Sequence, residues 1–338
     1  MRKNLLIILC MISALLIGCA KSETVTEVSE TLASESIVET SSPETTPTEC
    51  PHDFVEFSRT DTTCLKQGHV EYSCTWCGET KTEQGESAPG HSFTDGICTV
   101  CGSLEGSKGL LFAENDGAYT VFSIGTCVDE NIVIPDFYEG LPVTAIGAEA
   151  FADSQICSVV IPETVTYIDN AAFRGCKNLN PVVIPDSVTH IGNFAFGDCR
   201  SLEDLTIGSG VVTIGWHAFS DCRSLESVVI PDSVEEMMHA VFFHCPKLKE
   251  VTLGANIRTM GAEIFAYSKI EHLTIPASVT EIGSHLFYCS DTLQTLTFED
   301  PHGWQLKSSA GTVAIDVSDP VANAKGIIDA YEGYTWIK

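Results

Sequence analysis

The feature that most restricts what this chain can fold into is a period. The stretch "IPDSVTHIGNFAFGDCRSL", Ile184 to Leu202, returns 23 residues later as "IGSGVVTIGWHAFSDCRSL", Ile207 to Leu225. An Ile-Pro or similar pair recurs at Ile161, Ile184, Ile207, Ile230, Leu253, Ile275 and Phe298, every 23 residues with a single 22. Phenylalanine keeps step at Phe151, Phe173, Phe196, Phe219, Phe242, Phe265 and Phe287. A fixed period of this size marks a solenoid, in which each coil buries its apolar side only against its neighbours.

Each coil reads in two extended pieces. In Leu202-x-x-Leu205-x-Ile207 the leucines and isoleucine point inward, and the intervening position holds Val160, Val183, Thr206, Val229, Thr252, Thr274 and Thr297 across the coils. All are β-branched, which suits a parallel sheet whose outward side chains stack rung upon rung. Proline after the strand ends its ladder. The second couplet, Val188 with Ile191, predicts a shorter extended segment before a turn at Gly192, and a helical turn is expected to carry Phe196. Cys176, Cys199, Cys222 and Cys245 each follow a column phenylalanine by three residues, where other coils place Ser154, Ser268 and Ser290. A catalytic thiol would not be copied four times, so these are read as small buried side chains. Disulfides along the column are disfavoured, because stacked coils lie ~4.8 Å apart and offer suitable pairing geometry only rarely.

These units resemble the leucine-rich repeats of BspA-like bacterial surface proteins, over about Ile132 to Asp300. The resemblance implies a mainly β (α/β repeat), right-handed leucine-rich-repeat solenoid with a parallel sheet, spanning 110–300 with an N-terminal cap in "GAYTVFSIGTCV". The tail, 301–338, is similar to the closing cap of such proteins, with Trp304, Ala322-Asn323-Ala324 and Trp336 in place. Asp169 and Met238 depart from the pattern at the turn glycine, and Val241, Ile264 and Leu286 at the alanine before phenylalanine. Altered packing is therefore expected in coils five to seven.

Ahead of the repeats the chain changes character three times. Residues 1–18 carry Arg2 and Lys3 and then an unbroken apolar run, Leu5 to Ile17, short for a membrane span, which reads as a secretory signal. Its end, Leu16-Ile17-Gly18-Cys19, resembles the lipobox of bacterial lipoproteins, which implies acylation of Cys19 and a mature chain held outside the cell membrane by lipid. Residues 19–49, rich in Ser, Thr and Glu without aromatics, lack the apolar surface to offset chain ordering and read as a solvated tether.

Residues 50–102 crowd six cysteines and three histidines together. Cys74-Thr-Trp-Cys77-Gly78 and Cys98-Thr-Val-Cys101-Gly102 are two knuckles whose thiolate spacing can grip a tetrahedral zinc ion. An internal echo divides the ligands as His52, Cys64, Cys74 and Cys77 for one ion, and His91, Cys98 and Cys101, completed by Cys50 or His69, for a second. The segment looks like the zinc-ribbon-like modules found beside repeat domains in surface proteins of Gram-positive gut bacteria. Disulfides are the alternative an exported chain permits. A metal here is structural, because so short a segment needs one to fold and no open-site motif such as His-Glu-x-x-His is present.

Eighteen basic against 46 acidic residues give a formal charge of −28, which argues against nucleic acid, since phosphate recognition needs a clustered basic footprint. The histidines of the repeats, His190, His217, His239, His244, His272, His285 and His302, form no Ser/His/Asp grouping. Only His217 and His285 share a column, two before the phenylalanine, and its variability reads as solvent exposure. No catalytic residue is assigned and the chain is expected not to be an enzyme. The expectation is a surface-tethered binding protein for a protein or glycan ligand, with adhesion implied by the resemblance. Outward strand residues Asp204, Thr206, Glu250, Thr252, His272, Thr274, Thr295 and Thr297 are its candidate contacts. Zinc capture by the cysteine module, or a passive envelope spacer, are the alternatives.

Overall fold

The computed structural model describes residues 54–60, 69–75, 78–84, 93–94, 97–98, 104–329 and 331–338. From residue 118 onward the chain coils as the period requires. Its longest sheet follows the short couplet: Leu141–Ile146, Tyr167–Ile168, His190–Ile191, Thr213–Ile214, Glu236–Met237, Thr259–Met260 and Glu281–Ile282 run parallel without interruption. The leucine-bearing strands, expected to make the main parallel sheet, instead pair in twos. Val182–Ile184 pairs with Leu205–Ile207, Ser227–Val229 with Glu250–Thr252, and His272–Ile275 with Thr295–Phe298. Five of these six strands meet proline or glycine within two residues of their ends, at Pro185, Gly208, Pro231, Gly254 and Pro276, which keeps each strand short.

The interior is a set of columns. Phe151, Phe173, Phe196, Phe219, Phe242 and Phe265 are fully buried and stack nearly parallel, with ring centroids 5.0, 5.1, 5.4, 5.5 and 6.1 Å apart in order. The spacing grows along the column and is widest, 6.1 Å, between Phe242 and Phe265, whose preceding residues are Val241 and Ile264 in place of alanine. Glycine has a steric role in one column. A Cβ on Gly192 would sit 2.6 Å from the Asp169 carbonyl carbon, and one on Gly215 would sit 2.7 Å from that of Gly192. Asp169 and Met238 stand in this column with glycine in the coils on both sides.

Polar residues of the motif recur for backbone bonding between coils. Ser187, Ser233 and Ser278 donate to the carbonyls of Val165, Val211 and Ile257 one coil back, at 2.6, 2.7 and 2.7 Å. Asp186 and Asp232 accept from the backbone N–H of Ser209 and Ala255 one coil on. Asn170 and Asn193 do the same for Asn193 and Trp216, both at 2.8 Å. Main-chain groups that a non-helical loop would leave unpaired are satisfied in this way.

The expected helical turn around each phenylalanine is absent. Backbone N–H groups there alternate between two targets: Ala195, Gly197 and Cys199 donate three residues back, while Phe194, Phe196 and Asp198 donate to Trp216, Ala218 and Ser220 of the next coil. Two residues of each turn take positive φ. The first column is Glu149, Ala171, Phe194, His217, Ala240, Glu263 and His285; the second is Asp153, Gly175, Asp198, Asp221, His244, Tyr267 and Cys289. A left-handed L-residue costs ~1–2 kcal/mol, which the two-way bonding offsets.

Both ends of the sheet are covered. Leu111–Asn115 pairs antiparallel with Ala118–Ser123, which joins Leu141–Ile146 in parallel. At the other end Thr335–Ile337 pairs antiparallel with Glu281–Ile282 and with Gln305–Ser308. Helix Pro320–Asp329 is capped by the Asp319 carboxylate, which accepts from Val321 and Ala322 N–H. Its buried Asn323 donates to the Leu296 and Val317 carbonyls at 3.0 and 2.8 Å. Trp336 and Trp304 are buried against Phe298.

Candidate functional site

The strand-face candidates fall into the paired pieces. Thr206 lies opposite Val183, Glu250 and Thr252 opposite Ser227 and Val229, and His272 and Thr274 opposite Thr295 and Thr297. His272 Nδ1 is 2.8 Å from Thr295 Oγ1. Asp204, Thr206, Glu250, Thr252, His272 and Thr274 are exposed, while Thr295 and Thr297 are half-buried. This face displays small polar side chains, together with the exposed Val183 and Val229.

A second surface concentrates larger side chains. The two left-handed positions bend each phenylalanine turn so that residues from different columns meet along one edge. Phe194 stacks on His217 at 4.7 Å and 7°, with the Arg174 guanidinium 5.7 Å from the Phe194 ring centroid. His217 meets Phe243 edge-on at 5.8 Å, Phe243 meets Tyr267 at 5.3 Å, and Tyr267 meets Tyr288 at 5.6 Å. Trp216, next in sequence to His217, lies edge-on to His239. Trp216 is 50% exposed, and Phe194, Tyr267 and Tyr288 are 36–40% exposed, so each ring has a seated base and a free face. The column containing His217 and His285 was expected to face solvent; it is mixed, with Ala171 and Ala240 buried and His217 half-buried. The sequence alone did not disclose this ridge, because its members occupy four different positions relative to the phenylalanine.

Two of the carboxylates beside the ridge are paired. Asp198 pairs with Arg200 at 2.7 Å, and one coil on Asp221 pairs with Arg223 at 3.0 Å and with His244 Nδ1 at 2.7 Å. Burial holds His217 below the usual imidazole range, which keeps it neutral at neutral pH. The neighbouring Cys289 thiol, by hydrogen bonding at Tyr267 and by charge at Tyr288, pushes both phenols up. The ridge therefore offers uncharged rings and neutral O–H groups.

The cysteine column is structural. Cys176, Cys199, Cys222 and Cys245 are fully buried and unbridged, and their thiols donate to the carbonyls of Phe151, Phe173, Phe196 and Phe219 at 3.0–3.4 Å. Ser290 makes the same bond to Phe265 at 3.1 Å, which explains why serine and cysteine exchange here. Burial pushes the Cys245 thiol up to about 12 and the Cys176 thiol up to about 11. At pH 8 these thiols carry almost no thiolate and should resist iodoacetamide in the folded protein, while exposed Cys289 is alkylated. Peptide mapping by mass spectrometry reads this directly, and labelling of Cys222 as fast as Cys289 would contradict it.

Of the cysteine module's ligands, Cys74 and Cys98 fall among the described residues. Both are buried, in strands His69–Cys74 and Ile97–Cys98. Gly78, at φ 74°, donates its N–H to the Cys74 carbonyl at 3.0 Å, in the turn that joins strand His69–Cys74 to its antiparallel partner Thr80–Gln84. His52, Cys64, Cys77, His91 and Cys101, the acylation site Cys19, and Cys50 lie outside the described residues, as does everything read into residues 1–49. Among the described residues no group of three or more metal-ligating side chains is gathered, and no helix is long and apolar enough to cross a membrane.

Comparison with known proteins places the repeats. Residues 144–270 and 212–303 match the model of the BspA type leucine rich repeat region, in six copies. A leucine rich cell surface protein from Faecalibacterium prausnitzii has a similar solved structure, with 30% identity and a TM-score of 0.55 over 63% of this chain and 60% of that one. This chain thus spans less than two thirds of that relative's length. A leucine-rich repeat protein from Eubacterium ventriosum aligns at 23% identity and a TM-score of 0.48, over 62% of this chain and 55% of that one. No curated protein matches. The parallel coils, the phenylalanine column and the matched residues agree: residues 144–303 form a parallel β-solenoid that matches the BspA type leucine rich repeat region.

Proposed function

We propose that this chain is a non-catalytic cell-surface protein that binds a macromolecule through the aromatic ridge of its repeats. The observation that carries the reading is the row Phe194, His217, Phe243, Tyr267 and Tyr288, with Trp216 next in sequence to His217: large rings left part-exposed on a scaffold whose other large apolar residues are mostly buried. Exposed aromatic clusters on a rigid frame mark interaction sites, because each ring contributes a large contact area at little entropic cost. The F. prausnitzii relative's description as a cell surface protein supports the location. Acylation of Cys19 would supply the anchor, and zinc held by His52, Cys64, Cys74 and Cys77, with a second ion on His91, Cys98 and Cys101, would supply folding energy to the module.

The test is a binding screen of the full chain against immobilised matrix proteins and glycans, followed by substitution on each face. Trp216→Ala with Tyr267→Ala is expected to weaken any binding found by at least about tenfold, while Thr206→Ala with Thr252→Ala changes it less than about twofold. The reverse pattern would move the site to the strand face. A chain that binds nothing in the screen would favour the passive spacer.

A further inference from the structure

The ridge is a row with one ring on each of five successive coils, drawn from different columns. Rings on successive coils touch one another from Phe194 to Tyr288, in contacts of 4.7–5.8 Å. Alongside, the sequence Asp-Cys-Arg occurs at 198–200 and again at 221–223, and each copy folds its guanidinium onto its own aspartate. Both pairs are part-exposed. A carboxylate fixed beside a guanidinium presents acceptors and donors side by side, the pattern that two adjacent hydroxyl groups can satisfy together. An aromatic face attracts partly positive C–H groups through its quadrupole, the pattern that the apolar face of a sugar ring satisfies.

Two further observations narrow the class. The chain's formal charge of −28 repels a polyanion, and Glu263 and Glu332 act on the ridge rings His217, Tyr267 and Tyr288, while Asp198 and Asp221 carry their own arginines. Five successive coils each offer one ring, and a polymer of like units can engage several of them at once, so weak single contacts add up. Resting on the reading that the ridge is the binding face, we propose that its ligand is a linear neutral polysaccharide. Its sugar rings lie over Phe194, Trp216, Tyr267 and Tyr288, and its hydroxyl edge is held by Asp198–Arg200 and Asp221–Arg223.

Affinity electrophoresis of the full chain tests this, with gels containing linear neutral polysaccharides (amylose, hydroxyethyl cellulose, mannan, xylan), heparin as the polyanion, and surface-immobilised collagen as the protein probe. At least one neutral polysaccharide is expected to retard the chain, undiminished by added salt. Trp216→Ala and Tyr267→Ala should each reduce that retardation at least about tenfold in apparent affinity, with an unchanged thermal unfolding curve. Arg223→Leu, which leaves the rings in place, should weaken it too. Binding confined to heparin or collagen, but lost on Trp216→Ala, would overturn the polysaccharide and leave the ridge as the binding face. Binding that survives both aromatic substitutions would overturn both readings, and absence of retardation by every neutral polysaccharide would overturn this one.

Discussion

Replacing Phe219 with alanine is expected to destabilise the solenoid by about 3–5 kcal/mol, the range for removing a fully buried phenylalanine ring. Phe219 has no exposed surface and is stacked on both sides, on Phe196 at 5.4 Å and Phe242 at 5.5 Å. The cavity cannot collapse easily, because the turn that holds Phe219 is bonded into the following coil through Phe219 N–H to the Val241 carbonyl at 2.9 Å. Alanine at exposed Thr206 should stay within about 0.5 kcal/mol of the parent. Urea unfolding followed by far-UV circular dichroism measures both. A loss below about 1 kcal/mol for Phe219→Ala would mean that the column is not the structural axis.

Removing residues 301–338 is expected to do more: the remaining chain should lose soluble expression. The tail supplies the strand Thr335–Ile337 that covers the parallel edge at Glu281–Ile282, and the buried Trp304, Leu306, Val317, Ile327 and Trp336 that cover Leu296 and Phe298. Without it, an open edge and an apolar coil end would both meet solvent, which is a template for aggregation. The milder substitution Asn323→Ala leaves the strand cover in place but strips the Leu296 and Val317 carbonyls of their side-chain donor. It should cost about 1–3 kcal/mol while the protein stays soluble. Fractionation of expressed protein, and gel filtration of any soluble part, would decide; a monodisperse soluble truncation would show that the coils need no closing segment.

Much of this architecture was legible because burial here is periodic. The phenylalanine, isoleucine and Cys/Ser columns read from the sequence are the buried columns of the fold, since in a stacked coil the same position meets the same neighbour each time. Which extended piece forms the continuous sheet was not legible. Both pieces carry β-branched residues, so the side-chain pattern does not separate the couplet that pairs throughout from the leucine-bearing piece that pairs in twos. The turn around each phenylalanine was misread as helical for a related reason. Phe194, His217, His244 and Tyr267 adopt positive φ without a glycine or asparagine to announce it. That backbone is what gathers the ridge, so the candidate site was hidden by the same feature that builds it.

The side-chain bonds of the motif reach across a single coil boundary: Ser187 to Val165, Ser209 to Asp186, Trp216 to Asn193, Cys222 to Phe196. A gene that gains or drops one 23-residue segment by replication slippage would rejoin equivalent partners at the scar. Valency along the ridge is then free to drift between lineages while the conformation is inherited intact.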